Sequence, residues 1–197
     1  MRKVNFVIAA VTVLTLGGIL YACNSSQVKD ISKPPILTQT QMIERGNYLV
    51  SSIGCDDCHS PKRMGEHGPE IIPELRLSGY PADRPIQKPD SNAMKGGYML
   101  FGPDLTLAIG PWGMSFSANI TSDATGIGNW TEHNFITAMR TGKMKGLENN
   151  RSMLPPMPWF NFKNLTDEDL KSIFAYLKST SPVVNLVPAP KQVADIK

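Results

Sequence analysis

In Cys55-Asp56-Asp57-Cys58-His59, reactive side chains fall at a spacing with a definite chemistry. Cysteines three apart put both thiols on one side of a helical turn, where they can form thioethers to the two vinyl groups of a haem. The histidine that follows brings its imidazole under the iron as proximal ligand. Three other chemistries use parts of this pattern. A thioredoxin-like redox pair needs a neighbouring βαβ unit, and the chain shows no pattern for one. A zinc site on Cys55, Cys58 and His59 needs His67 or His133 as fourth ligand, without the second C-x-x-C that such sites carry. A disulfide between Cys55 and Cys58 would close a tight, strained loop. One covalent haem c is the expected cofactor.

A six-coordinate iron needs a second protein ligand, and methionine in that place raises the potential. The chain has ten methionines. Met157 stands apart because Pro155, Pro156 and Pro158 restrain the backbone on both sides of it. Met153 and His133 remain the alternatives. Met153 lacks flanking prolines, and His133 falls in the first turn of an expected helix, where a histidine commonly faces solvent.

Three helices must position these groups. Thr38-x-x-Gln41 is a capping-box pattern, followed by Met42, Gly46, Leu49, Val50 and Ile53 at helical spacing. Thr131 caps a second helix, with Trp130 and Phe135 at staple positions and Gly142 at the stop. Leu165-Thr166-Asp167-Glu168-Asp169-Leu170 starts a third helix with a cap, a staple and three acids in the first turn, and Pro182 blocks its continuation. Between Ser60 and Ala118 lie 8 of the 16 glycines and 8 of the 16 prolines. That composition predicts a long irregular insertion, and no strand alternation is evident. The fold class expected is all-α.

The amino terminus carries separate information. Arg2 and Lys3 precede an apolar stretch from Val4 to Ala22, which reads as an export signal. An uncleaved anchor is the alternative reading. Leu20-Tyr21-Ala22-Cys23 resembles the lipobox of bacterial lipoproteins, and the resemblance implies diacylglycerol on the Cys23 thiol and cleavage before it. Two acyl chains suffice for stable anchoring. The boundaries that follow are a signal peptide over 1–22, a tether over 23–37, a helical domain over 38–181 and an extended tail over 182–197. All three cysteines are then accounted for, Cys23 by lipid and Cys55 and Cys58 by haem. The formal charge of +3 argues against a nucleic-acid surface, and 41% hydrophobic residues argue against disorder.

The order of helix, C-x-x-C-H, long loop, Met157 and final helix resembles class I cytochrome c. Glu44-Arg45-Gly46-Asn47-Tyr48-Leu49 is similar to the first helix of that family, where glycine lets the final helix cross closely. Ala175-Tyr176-Leu177 is similar to its partner on that final helix. Ala118-Asn119-Ile120-Thr121 through Trp130-Thr131, then Phe135, Ala138, Arg140 and Gly142, resembles cytochrome c subunits of bacterial periplasmic dehydrogenases. Those subunits often carry two or three haem motifs, and this chain has one. The resemblance implies Asn119, Trp130 and Arg140 as donors to the haem propionates. Trp112 and Tyr80 either cover the haem edge or pack the insertion.

The functional expectation is an electron carrier rather than an enzyme, with His59 and Met157 as iron ligands. It is lipid-anchored in the bacterial envelope, faces the periplasm and exchanges electrons with a dehydrogenase, an oxidase or another cytochrome. A haem-based sensor or interaction module and a peroxidase-like haem enzyme are the competing classes. Rapid carbon monoxide binding would favour the last.

Overall fold

The computed structural model describes residues 36–196, apart from 87, 90, 91, 93 and 94. The expected signal segment, Cys23 and most of the tether lie outside the described residues. Among the described residues, no helix is long and apolar enough to cross a membrane.

Helix α1 spans Gln39–Ser52 and starts where the capping box placed it. The Gln41 N–H donates to the Thr38 hydroxyl (3.3 Å), and the Thr38 N–H donates to the Gln41 side chain (2.9 Å). The single turn α2, Cys55–His59, carries the cysteine–histidine motif. Helix α3, Glu132–Thr141, is capped by Thr131 and ends at Gly142 with φ 69°. A short α4, Trp159–Phe162, precedes α5, Asp167–Ser179, which is capped by Thr166. Acids in the first turn of α5 and Lys178 in its last complement the helix dipole.

Helices α1 and α5 cross at Gly46. A Cβ there would land on the Ser172 carbonyl and 2.6 Å from the Tyr176 Cβ. Arg45 braces the crossing, with Nη2 2.5 Å from Asp169 Oδ1. Val50 of α1, Leu170, Ile173 and Leu177 of α5, and Phe135 of α3 then form the core with Leu77 and Ile127. Because the Ser172 obstacle is backbone, Gly46→Ala is expected to destabilise toward the upper end of the ~1–3 kcal/mol typical of overpacking. A denaturant midpoint measures this. An unchanged midpoint would show that the close crossing is dispensable.

The insertion corrects the all-α expectation. It contains strands β1 (Lys62–Gly65) and β2 (Gly68–Ile71) in one antiparallel pair. Strands β3 (Leu100–Phe101), β4 (Leu107–Gly110) and β5 (Gly113–Phe116) form a second antiparallel sheet in that order. The fold is therefore mixed, a helical domain with two small sheets in its insertion. The strands are at most four residues long, too short for an alternating pattern to register, and glycines sit at their corners: Gly65 pairs with Gly68 and Gly110 with Gly113 across two-residue turns. Ile109 and Met114 make a small second core with Ile196, and the Met114–Lys191 bridge joins the chain's end to β5.

The segment after α5 is stitched in by Asn185. Its Oδ1 accepts the Ala82 N–H (2.8 Å), and its Nδ2 donates to the carbonyls of Ser78 (2.7 Å) and Tyr80 (2.9 Å).

Candidate functional site

Helix α2 is fixed on its outer side by charge. Arg76 forks onto Asp56, Nε to Oδ1 at 2.9 Å and Nη2 to Oδ2 at 2.7 Å, and its Nη1 donates to the Tyr176 hydroxyl (2.6 Å). Burial alone would raise the Asp56 carboxyl. Hydrogen bonds from Arg76 and Ser60, with the charges of Arg76 and Lys62, outweigh it and hold the group below the usual carboxylate range. The Lys62 ammonium donates to the carbonyls of Asp56, Asp57 and Ser60 at the end of α2, and to that of Asp104 in the insertion (3.2 Å). A cation at a helix C-terminus meets both the dipole and the unpaired carbonyls.

The inner side of α2 opens on a cavity of about 390 Å³. Cys55, Cys58 and His59 line it together with Ile127, Phe135, Leu170, Ile173 and Leu177, and the Met153–Pro158 loop supplies part of the wall. The insertion contributes Leu105, Ala108 and Ser115, and the C-terminal segment contributes Pro190. The wall is therefore mainly apolar.

His59 is held in one orientation. Its Nδ1 lies 2.7 Å from the Ala118 carbonyl. A carbonyl can only accept, so Nδ1 carries the proton and Nε2 keeps its lone pair. Burial holds the imidazole below its ordinary value, against the opposing effects of the Ala118 bond and Asp56. A neutral ring with a free Nε2 and an anchored Nδ1–H is what metal ligation by histidine requires. The anchor depends on Gly79 (φ 78°), whose N–H donates to the His59 carbonyl (2.7 Å). A Cβ there would collide with Ser117 and Ala118.

Cys55 and Cys58 form no disulfide with each other. Burial, followed by the charge of Asp56, pushes Cys55 up to about 12, and burial with Asp57 raises Cys58. His67 and His133 are both exposed, and neither lies on the cavity wall. Among the described residues, no group of three or more histidine, cysteine or acidic side chains could hold a metal ion. The zinc alternative therefore lacks its fourth ligand, and His133 is out of reach of the cavity.

Met157 and Met153 both line the wall, as do Met139 and Met144, which the sequence did not single out. The insertion holds the Met157 loop through Ser115. Its Oγ donates to the Pro155 carbonyl (2.7 Å) and receives the Trp112 indole N–H (3.2 Å). Trp112 thus packs the insertion. Tyr80 does the same, buried with its ring 4.8 Å from that of Phe116, and neither residue lines this cavity.

The three residues expected to meet the propionates separate. Trp130 lines the cavity, and its indole N–H bonds no described residue. Asn119 also touches the wall, but its amide is occupied. Its Oδ1 accepts from the N–H (2.9 Å) and hydroxyl (2.8 Å) of Thr121, and its Nδ2 donates to Thr125 Oγ1 (3.0 Å) and the Val183 carbonyl (2.8 Å). Arg140 is off the wall altogether. It donates to the Lys163 carbonyl and, at 2.5 Å, to Asp167, which ties the end of α3 to the start of α5. The sequence reading missed Arg151, the one cationic side chain on the wall among the described residues.

Residues 43–181 match the cytochrome c family. This chain is a member of that family. It carries covalently bound haem c, and Cys55 and Cys58 fit the attachment motif. The donor set agrees: two unpaired thiols and a neutral, oriented imidazole face one apolar cavity. The fructose dehydrogenase cytochrome subunit of Gluconobacter japonicus is 29% identical over 185 residues, covering 93% of this chain and 29% of that protein. The gluconate 2-dehydrogenase cytochrome c subunit of Pantoea cypripedii is 29% identical over 144 residues, 72% of this chain and 24% of that subunit. The cytochrome c subunit of the quinone-type alcohol dehydrogenase of Gluconobacter oxydans is 35% identical over 82 residues, 41% of this chain and 16% of that subunit. The chain spans less than a third of the length of each of these relatives.

Proposed function

We propose that this cytochrome is a single-electron carrier whose iron is held by His59 and Met157, tethered to the membrane by lipid on Cys23. The observation that carries the reading is the closure of one cavity by two elements. Helix α2 presents Cys55, Cys58 and His59, and the proline-rich Met157 loop forms wall of the same cavity. Haem c bound there supplies the reversible one-electron couple. The protein's part is to keep both ligands in place and exclude water, so that little rearranges when the electron moves.

The exposed members of the wall mark its mouth: Asp57, Leu105, Arg151, Pro155 and Pro190. One acid and one base against three apolar groups suit brief contacts without strong electrostatic steering. Leu105 is held at φ 63° and is 40% exposed. A leucine in the left-handed region costs about 1–2 kcal/mol, and solvent exposure returns nothing for that cost, which supports a contact role.

The relatives are cytochrome subunits of dehydrogenases, which supports a dehydrogenase as electron donor and a periplasmic, envelope-bound location. In this reading residues 23–37 are the tether, 38–181 the cytochrome domain and 182–197 its tail. The full chain, produced in a bacterium that attaches haem c, is expected to give one single-electron wave on redox titration and to bind carbon monoxide slowly. It is also expected to incorporate labelled palmitate that Cys23→Ser abolishes. Rapid carbon monoxide binding by the reduced protein would defeat the carrier reading, and unlabelled wild-type protein would defeat the anchor.

A further inference from the structure

We propose that Arg151 is the cationic partner of a haem propionate and that its charge sets the reduction potential of this cytochrome. The inference rests on haem c occupying the α2 cavity, and extends that reading to a residue not expected there.

Four other arginines are already committed. Arg45 pairs with Asp169, Arg76 with Asp56, Arg84 with Asp104 and Arg140 with Asp167. Arg151 has no carboxylate partner among the described residues. Its guanidinium makes one hydrogen bond, from Nη1 to the neighbouring Ser152 carbonyl (2.9 Å). Its backbone is nonetheless anchored: the Arg151 carbonyl accepts the Met144 N–H (3.0 Å), Lys143 bridges to Ser152, and the Met153 N–H donates to the Gly142 carbonyl (2.7 Å). A fixed backbone thus carries an uncommitted guanidinium at the mouth of the haem cavity.

Haem brings two carboxylates into this mainly apolar site. A carboxylate removed from water without a partner is costly, and the acidic Asp57 on the same wall adds repulsion. Trp130 can give one neutral N–H. Among the described residues Arg151 supplies the only positive charge on the wall, and its planar fork matches a carboxylate in a way an ammonium does not. A cation beside the haem favours the ferrous state, because reduction adds one negative charge nearby.

The test uses the purified, haem-loaded full chain and its Arg151→Met, Arg151→Lys and Lys145→Met variants, with midpoint potentials taken from mildly acidic to mildly alkaline pH. The other titratable groups on the wall are Asp57 and His59, since the two cysteines are consumed by thioethers, and Glu148, Lys143 and Lys145 lie on the adjoining segment. Arg151→Met is expected to lower the midpoint. A tenfold loss of preference for the ferrous state corresponds to about 59 mV for one electron. The potential should also become pH-dependent as the unpaired propionate titrates, with Arg151→Lys intermediate and Lys145→Met close to wild type. Far-red sulfur–iron absorption should persist in all four proteins. An Arg151→Met midpoint and pH profile equal to wild type would overturn the proposal, as would an equal shift from Lys145→Met. A wild-type chain without haem attached at Cys55 and Cys58 would overturn the underlying cofactor reading, and this one with it.

Discussion

Met157→Ala should lower the midpoint potential by an amount on the order of a few tenths of a volt, a sizeable part of the ~0.8 V range that axial ligands command. It should also abolish the far-red sulfur–iron band and convert slow carbon monoxide binding into fast binding. A thioether ligand favours ferrous iron, so if Met157 supplies it, the alanine variant would leave a coordination position for water or an added ligand. The competing ligand is Met153, four residues earlier on the same wall. Both backbones are held, the Met153 N–H by the Gly142 carbonyl (2.7 Å) and the Met157 N–H by the Leu154 carbonyl (3.3 Å), but Pro155, Pro156 and Pro158 restrain Met157 further. Met153→Leu should therefore leave the band and the potential close to wild type. Survival of the band in Met157→Ala, with its loss in Met153→Leu, would transfer the ligand to Met153.

Much of this site is written in local sequence, because its parts depend on short-range rules. The Thr38–Gln41 capping box, the Thr131 and Thr166 caps and the Gly142 stop fix helix ends with residues a few positions apart. The C-x-x-C-H turn needs only five consecutive residues. Gly46 is legible through the resemblance of Glu44–Leu49 to the family's first helix, and the Ser172 carbonyl is the close neighbour that the resemblance implies on the final helix. What escaped depends on long-range placement. The His59 partner is the backbone carbonyl of Ala118, 59 residues away, and a carbonyl leaves no trace in side-chain identity. The arginines could not be told apart for a similar reason: Arg140 is drawn off by Asp167 across 27 residues, and Arg151 is left on the wall. The β hairpins of the insertion were hidden by their brevity. Asn185 lies in the expected extended tail, and its bonds to Ser78, Tyr80 and Ala82 span more than 100 residues, beyond the reach of any local pattern.

The same geometry makes the cofactor part of the core, and this sets the second large expectation. Leu170, Ile173 and Leu177 of α5, with Ile127 and Phe135, belong at once to the main core and to the wall of the 390 Å³ cavity. Without haem, these apolar side chains lose their packing partner and face water instead. A domain of this size is stable by only ~5–15 kcal/mol in total. The Cys55→Ser/Cys58→Ser double variant, purified free of haem, should therefore lose most of its helical signal by far-ultraviolet circular dichroism and show no cooperative thermal transition. The haem-loaded wild type should melt in one step. The helix caps alone cannot compensate, since each contributes about 1 kcal/mol. A haem-free double variant that melted cooperatively near the wild-type temperature would mean that the wall collapses onto itself, and that the haem is a passenger in this fold rather than its centre.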